Sequence, residues 1–229
     1  MTFATLGYAF VGGLLPSLFW LYFLLKEDAK HPEPKKLLAF TFFAGMLAVP
    51  LALPFEHYAK THFSSDASIL AAWALIEEVL KYAVAALLIL WRPDVDEAPD
   101  YVIYMITIAL GFAAAENMLF LVSPLADGNI ASGLFTDNVR FLGSTLLHVV
   151  ASAAIGFALA FSRTKPSGIR EAAAALGLIL AVALHTGFNL LIMNQDASNA
   201  FVAFFFVWVG VLVFFATFEV LKYFQYRSP

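Results

Sequence analysis

The stretch LIEEVLKY, residues Leu75 to Tyr82, places two carboxylates and one amine inside a long apolar segment. On both sides the sequence consists mainly of alanine, leucine, isoleucine, valine and tryptophan, from about residue 67 to about residue 91. A run of this length is sufficient to cross a lipid bilayer as one helix. The stretch therefore indicates a membrane helix whose ionisable groups need polar partners on other helices.

The composition of the whole chain is that of a membrane protein. Of its 229 residues, 62% are hydrophobic and only 13% are charged, and the mean hydropathy is +0.82. Residues 1–25 lack a positively charged start, so they predict a first membrane helix and not a cleaved signal peptide. The absence of cysteine excludes disulfides, thiolate metal sites and cysteine nucleophiles. The net charge of -4 is too small to indicate a nucleic-acid partner.

Short polar connectors divide the chain into seven apolar segments. Two of these connectors, KEDAKHPEPKK and RPDVDEAPD, combine charge with proline, which ends helices. The predicted spans are 3–25, 37–57, 67–91, 101–124, 137–162, 172–194 and 199–221. We therefore expect an all-α, polytopic integral membrane protein of about seven transmembrane helices, forming a single domain over residues 1–229.

The distribution of lysine and arginine predicts the orientation of the chain, because cytoplasmic loops hold these residues in excess. With the N-terminus outside, only Lys60 and Arg140 fall on the outer side. The inner side then holds Lys26, Lys30, Lys35, Lys36, Arg92, Arg163, Lys165, Arg170, Lys222 and Arg227. This asymmetry predicts a multi-pass protein of the cell membrane with its N-terminus outside and its C-terminus in the cytoplasm.

Six ionisable or imidazole groups lie well inside the predicted spans: Glu77, Glu78, Lys81, Glu116, His148 and His185. Each charge near a helix centre opposes insertion by roughly 2.5–3.5 kcal/mol, so such residues normally face a bundle interior or an aqueous cavity. Counted from the outer ends of the predicted spans, Glu77, Glu116, His148 and His185 lie roughly 12–17 Å deep, each on a different helix. This common depth predicts one polar site between helices three to six. Glu56 and His57 lie near a predicted helix end and are assigned to the membrane interface.

Spacing along each helix adds detail to this site. Lys81 lies three residues after Glu78 and four after Glu77, so either carboxylate can pair with it. His185 and Asn189 in HTGFN are also four apart, and Ser144, His148 and Ser152 form a polar stripe. Carboxylates and imidazoles together make a plausible ligand set for zinc or a similar divalent ion, with one glutamate left to deprotonate water. That is hydrolase chemistry, although the HExxH zincin motif is absent.

Four motifs in this order resemble the PrsW family of intramembrane proteases, within the wider group of CAAX-processing and bacteriocin-processing membrane endopeptidases. The motifs are EEVLK with Glu77, FAAAEN with Glu116, the isolated His148, and HTGFN with His185. They extend over residues 77 to 189, about half of the chain. The second motif ends in Glu116 where prenyl-protein endopeptidases carry histidine, which argues against a prenylated substrate.

The resemblance implies an endopeptidase that depends on glutamate and a metal, with its catalytic groups at Glu77, Glu78, Glu116, His148, His185 and Asn189. Glu77 is expected to be the general base, supported by Glu78. Glu116, His148 and His185 are expected to hold a divalent metal, with zinc the leading choice. Asn189 is expected to polarise the scissile carbonyl or steady the oxyanion. Lys81 and Asn117 are supporting residues.

The resemblance also implies a membrane-anchored protein as substrate. Relatives in the family are bacterial, and they are linked to the first cleavage of anti-sigma factors in regulated intramembrane proteolysis during envelope stress. The alternatives are an ion- or proton-coupled transporter and a non-catalytic binding protein, since both use buried polar groups in a membrane. The sequence lacks the inverted halves with paired broken helices that mark many transporters.

Overall fold

The computed structural model describes residues 3–126, 130–193 and 197–227. They form seven α-helices, and no β-strand occurs within these ranges. The helices are α1 (Phe3–Glu27), α2 (Lys35–His62), α3 (Asp66–Leu88), α4 (Ala98–Ala126), α5 (Ile130–Ser162), α6 (Ser167–Met193) and α7 (Ala197–Arg227). The predicted all-helical polytopic architecture is confirmed, and each helix corresponds to one predicted span.

Six of the seven helices are long and apolar enough to cross a membrane. The exception is α3, because Glu77, Glu78 and Lys81 interrupt its apolar sequence. Its 23 residues are nevertheless about 34 Å long, which suffices for a bilayer core. Ser65 caps the start of α3 by accepting a hydrogen bond from the backbone N–H of Ser68 at 3.2 Å. The stretch from Leu75 to Tyr82, with its three charged residues, is therefore part of a regular helix.

Helix α4 forms the centre of the bundle. Almost every residue from Val102 to Ala114 is fully buried, which agrees with its uniformly apolar sequence. It packs against α1, α2 and α5. Gly45 of α2 and Gly111 of α4 allow the backbones of these two helices to meet, because a Cβ on either glycine would overlap a carbonyl oxygen of the facing helix. By contrast, α1, α6 and α7 expose many large apolar side chains, as contact with lipid requires.

A polar network joins the connectors at the end of the bundle where α4 begins. Asp100 accepts hydrogen bonds from the backbone N–H groups of Asp96, at 2.9 Å, and Glu97, at 2.7 Å. Tyr226 of α7 donates to Glu97 at 2.5 Å and stacks on His31, with 4.0 Å between the ring centroids. This network fixes the α1–α2 and α3–α4 connectors at the far end from Glu116.

Candidate active site

The predicted polar residues converge in one buried cluster where α3, α4, α5 and α6 meet. Helix α3 supplies Glu77, Glu78 and Lys81, whereas Glu116, His148 and His185 come from α4, α5 and α6 respectively. All are nearly or fully buried except Glu116, whose side chain is 22% exposed. The cluster therefore opens to its surroundings beside Glu116.

Glu78 is the fully hydrogen-bonded carboxylate of the cluster. Its Oε1 accepts one bond from Lys81 Nζ at 2.6 Å and one from His185 Nδ1 at 2.8 Å. Its Oε2 accepts a bond from the Ser152 hydroxyl at 3.3 Å. With both oxygens engaged, Glu78 holds α3, α5 and α6 in register, and it directs the other ring nitrogen of His185 away from itself.

His148 is held between a donor and an acceptor. Lys81 Nζ donates to its Nδ1 at 2.8 Å, and its Nε2 faces Glu116 Oε2 at 2.8 Å. The Lys81 ammonium also lies 4.6 Å from the ring centre of Phe112. The His148 ring therefore links the α3 ammonium to the α4 carboxylate.

Glu77 is the carboxylate of the cluster with an unpartnered oxygen. Its Oε2 is buried and has no hydrogen-bond partner among the described residues. The nearest charged or imidazole groups are Lys81 Nζ at 3.8 Å and His185 Nε2 at 3.9 Å. Because His185 Nδ1 donates to Glu78, its Nε2 presents a lone pair toward the same space. An oxygen acceptor and a nitrogen acceptor thus face each other with room for water or a cation.

A divalent metal fits this space. Glu77, His148 and His185 each offer one ligand atom, and these atoms lie within 4.8 Å of one another. Zinc binds imidazole nitrogen and carboxylate oxygen at about 2.0–2.2 Å, so two ligands of one ion can stand 3.9 Å apart. The unpartnered Glu77 oxygen is what such an ion would satisfy. His148 would exchange one of its two hydrogen bonds for the metal bond.

The converging ligand group differs in one member from the sequence-based set of Glu116, His148 and His185. Within the described residues the carboxylate of this group belongs to Glu77, because Glu116 Oε2 is engaged by His148 Nε2. Glu116 instead lies directly beside the group, on its exposed side. Sequence spacing could not separate these two positions, since both glutamates point into the same cluster.

The two asparagines lie at the margin of the cluster. Asn117 is buried and donates from Nδ2 to Thr145 Oγ1 at 3.0 Å, joining α4 to α5. Asn189 lies one turn beyond His185 on α6 and is half-buried. No hydrogen bond between Asn189 and the cluster residues occurs in the described part of the chain. Asn117 thus makes a hydrogen bond between two helices, and Asn189 lies near the cluster without a hydrogen bond to it among the described residues.

The structure adds two residues to the site that the sequence did not assign to it. Ser152 binds Glu78 directly, and its position on the stripe of His148 was the signal for this contact. Glu56 of α2 interacts electrostatically with Glu116 and Lys81. It lies six residues before the end of α2, which continues to His62 and so places this residue deeper than the predicted span end at 57 indicated.

The helix bounds also refine the depth of the cluster. Glu116 lies about 15 Å from the end of α4 at Ala126 and His185 about 12 Å from the end of α6 at Met193, whereas Glu77 is central in α3. Helix α5 begins at Ile130, well before the predicted residue 137, so His148 is farther from its helix end than predicted. The side chain of Arg140, used in the orientation argument, lies outside the described residues.

Comparison with known proteins identifies related sequences. A family described as "PrsW family intramembrane metalloprotease" matches residues 33–218. The chain is 25% identical to a protein named "Protease PrsW" from Oceanobacillus iheyensis, over 89% of this chain and 91% of that protein. It is 23% identical to "Protease PrsW" of Bacillus subtilis, over 79% of this chain and 80% of that protein. No solved structure matches it.

Proposed function

The chain belongs to the PrsW family of intramembrane metalloproteases, and we propose that its buried cluster hydrolyses a peptide bond of a membrane-anchored protein. Membership makes the protein a membrane protease, and therefore a hydrolase. One observation carries the assignment of the chemistry to this cluster. The unpartnered oxygen of Glu77 faces the lone-pair nitrogen of His185 inside the bundle.

We assign the activation of water to Glu77. A water in the space beside Oε2 can donate one hydrogen bond to this carboxylate oxygen and another to His185 Nε2. As the water attacks the scissile carbonyl, Glu77 takes its proton and later delivers it to the leaving amine. General base catalysis of this kind contributes about 10²–10⁴-fold to the rate.

Glu78 and Lys81 hold the site in place for this reaction. Both oxygens of Glu78 are already occupied by donors, so this residue is a poor base in the observed arrangement. Its bond to His185 Nδ1 fixes the ring so that Nε2 faces Glu77. This difference in hydrogen bonding favours Glu77 over Glu78 as the base.

The residues that would hold a divalent metal are Glu77, His148 and His185. When bound, such an ion supplies Lewis-acid chemistry, because it polarises a carbonyl oxygen and makes water more acidic. Two imidazoles and one carboxylate form a donor set that suits zinc. With such an ion bound, Glu77 would be one of its ligands, and Glu116 beside this group is the carboxylate that would take the proton of the attacking water. Asn189, one turn beyond His185, is proposed to donate to the developing oxyanion.

The proposed substrate is a single-span membrane protein, and an anti-sigma-factor-like protein cut at its first site is the leading choice. The positions of Glu116 and His185 nearer the outer helix ends support cleavage in the outer half of the membrane. We propose that residues 1–229 form one catalytic domain in a bacterial cell membrane. The N-terminus is placed outside and the C-terminus in the cytoplasm, as the lysine and arginine distribution supports.

Cleavage by purified protein in liposomes tests this proposal. The wild type, Glu77→Gln and the matched control Glu171→Gln, which changes an exposed glutamate of α6, are incubated with a set of labelled single-span peptides. The wild type and Glu171→Gln are expected to cleave the same bond, whereas Glu77→Gln loses at least about 10²-fold in rate. Cation flux that depends on Glu77, without any cleaved peptide, would instead establish the transporter alternative.

A further inference from the structure

The exposed side of the cluster carries one more acidic residue, and we propose that the Glu56 carboxylate binds a basic side chain of the substrate next to the scissile bond. This inference rests on the proposed hydrolysis at the same cluster. It assigns a determinant of specificity to α2, a helix that supplies none of the residues of the catalytic cluster. The substrate class is thereby narrowed to membrane-anchored segments with lysine or arginine near the cleaved bond.

The position of Glu56 is fixed relative to the cluster by a contact between α2 and α3. Trp73 Nε1 donates a hydrogen bond to the backbone carbonyl oxygen of Glu56 at 3.0 Å. Trp73 is one helical turn before Glu77, so this bond places Glu56 about one turn outside the catalytic level. Glu56 itself lies six residues, or about 9 Å, from the end of α2. A group arriving from the outer surface meets Glu56 before it reaches Glu77.

The Glu56 carboxylate lies near enough to the opening beside Glu116 to interact electrostatically with that residue. Glu116 is the partly exposed member of the cluster, and Glu56 is half-buried. The two interact electrostatically with each other, and Glu77 interacts with both. The buried, unpartnered oxygen of Glu77 lies at the inner end of this space. The opening is therefore acidic from its rim to its base.

The charges around this opening do not balance. Glu56, Glu77, Glu78 and Glu116 are faced by one ammonium, that of Lys81. Lys81 pairs with Glu78 and lies 3.8 Å from Glu77, so within the described residues no cation forms an ion pair with Glu56. An ionised carboxylate that is half-buried where water is scarce is costly without such a partner. Glu56 is the most peripheral of the four, so a cation from outside can reach it.

A basic side chain of the substrate supplies this missing charge. The long apolar stems of lysine and arginine can follow the membrane-facing wall while their charged ends reach a carboxylate near the helix ends. Arginine can also bind two carboxylate oxygens at once. Since Glu56 lies outside the catalytic level, the basic residue is expected on the outer side of the scissile bond, within about one helical turn.

The test compares three single-span peptides in liposomes that differ at one position outside the scissile bond, with lysine, glutamine or glutamate there. The enzymes are the wild type, Glu56→Gln, Glu56→Lys and the control Glu171→Gln. The wild type and the control are expected to cleave the lysine peptide on the order of tenfold faster than the glutamine peptide. Glu56→Gln is expected to lose this preference, and Glu56→Lys to favour the glutamate peptide.

Binding of the same peptides to Glu77→Gln, with and without Glu56→Gln, separates the two proposals. Cleavage without a charge preference that depends on Glu56 would overturn the inference and leave the proposed function standing. A binding preference for lysine that Glu56→Gln removes, without any cleavage by the wild type, would support the inference and reject the proposed function. If the wild type shows neither cleavage nor selective binding of the lysine peptide, both proposals are rejected.

Discussion

The Lys81 ammonium donates a hydrogen bond to Nδ1 of His148 over 2.8 Å and so joins α3 to α5 inside the bundle. The same ammonium lies 2.6 Å from Glu78 Oε1 and is completely buried. Because Nδ1 accepts this bond, the proton of a neutral His148 ring is on Nε2 and points at Glu116. One buried amine therefore sets both the tautomer and the orientation of a candidate ligand.

Replacing Lys81 by methionine is expected to destabilise the protein by about 3–5 kcal/mol, because it leaves the buried Glu78 without its cation. Unfolding of the detergent-solubilised protein by heat and denaturant measures this loss. Lys165→Met, which changes an exposed lysine between α5 and α6, is the matched control and should be nearly neutral. The double variant Lys81→Met with Glu78→Gln should recover part of the stability. Equal stability of Lys81→Met and the control would contradict the ion pair.

The adjacent glutamates are expected to respond differently to the same substitution. Glu78→Gln should cost about 1–3 kcal/mol or more, because an amide cannot accept all the hydrogen bonds that the carboxylate receives. Glu77→Gln should change the stability much less, since its Oε2 has no hydrogen-bond partner to lose among the described residues. The melting temperatures of both variants, in the same detergent and without added metal, provide the comparison. A larger loss in Glu77→Gln would reverse the assignment of their roles.

Metal content distinguishes Glu77 from Glu116 as a ligand. We expect about one divalent ion per chain in protein loaded with zinc and then dialysed, and its loss in His148→Ala, His185→Ala and Glu77→Gln. Glu116→Gln should retain the ion with an affinity lowered about 10–100-fold, as for a group that orients a ligand. Equilibrium dialysis with elemental analysis gives both quantities. Full loss in Glu116→Gln, with retention in Glu77→Gln, would restore the ligand set predicted from the sequence.

The connector between α1 and α2 predicts a pH dependence of stability. Burial, together with the charges of Asp100 and Glu97, raises the pKa of Asp28 to about 6, from an ordinary value of 3.8. The folded protein therefore binds more protons than the unfolded chain between these two values, so the contribution of Asp28 to stability falls as the pH rises from 4 to 6. Asp28→Asn should raise the melting temperature at pH 7. The gain should shrink as the pH falls through 6 toward 4.

Melting curves of Asp28→Asn and of Glu171→Gln across pH 4 to 8 check this prediction. Glu171 is exposed, so its variant should follow the wild type at every pH. A constant difference between Asp28→Asn and the wild type across this range would show that Asp28 is not the titrating group. Since Asp28 lies beyond the helix ends of α1 and α2, the variant leaves the catalytic cluster untouched.

The sequence predicted the helices and the members of the cluster well, for identifiable physical reasons. An apolar run long enough to cross a bilayer has few alternatives to a helix, because lipid offers no partner for backbone groups. Buried Glu77, Glu116, His148 and His185 are expensive in such a helix, so they had to meet partners at one level. Helix α3 carries three of the cluster's charges, so its length and its apolar flanks, not the absence of charge, identified it as a span.

The position of Glu56 relative to the cluster could not be predicted from the sequence. Its distance from a predicted helix end placed it at the membrane interface, and the prediction depended on where α2 stops. The helix continues to His62, and Trp73 of α3 binds the Glu56 carbonyl oxygen. Both facts depend on packing between helices, which no local pattern around Glu56 records.

The sequence by itself determined most residues of the cluster and the four helices that supply them, because hydropathy and helical periodicity are local properties of the chain. Only the tertiary structure decided which groups are partners. Spacing allowed Lys81 to pair with either Glu77 or Glu78. In the structure Lys81 donates its hydrogen bond to Glu78, because His185 and Ser152, from α6 and α5, bring further donors to the same carboxylate. Glu77 is consequently the residue left with an oxygen free for chemistry.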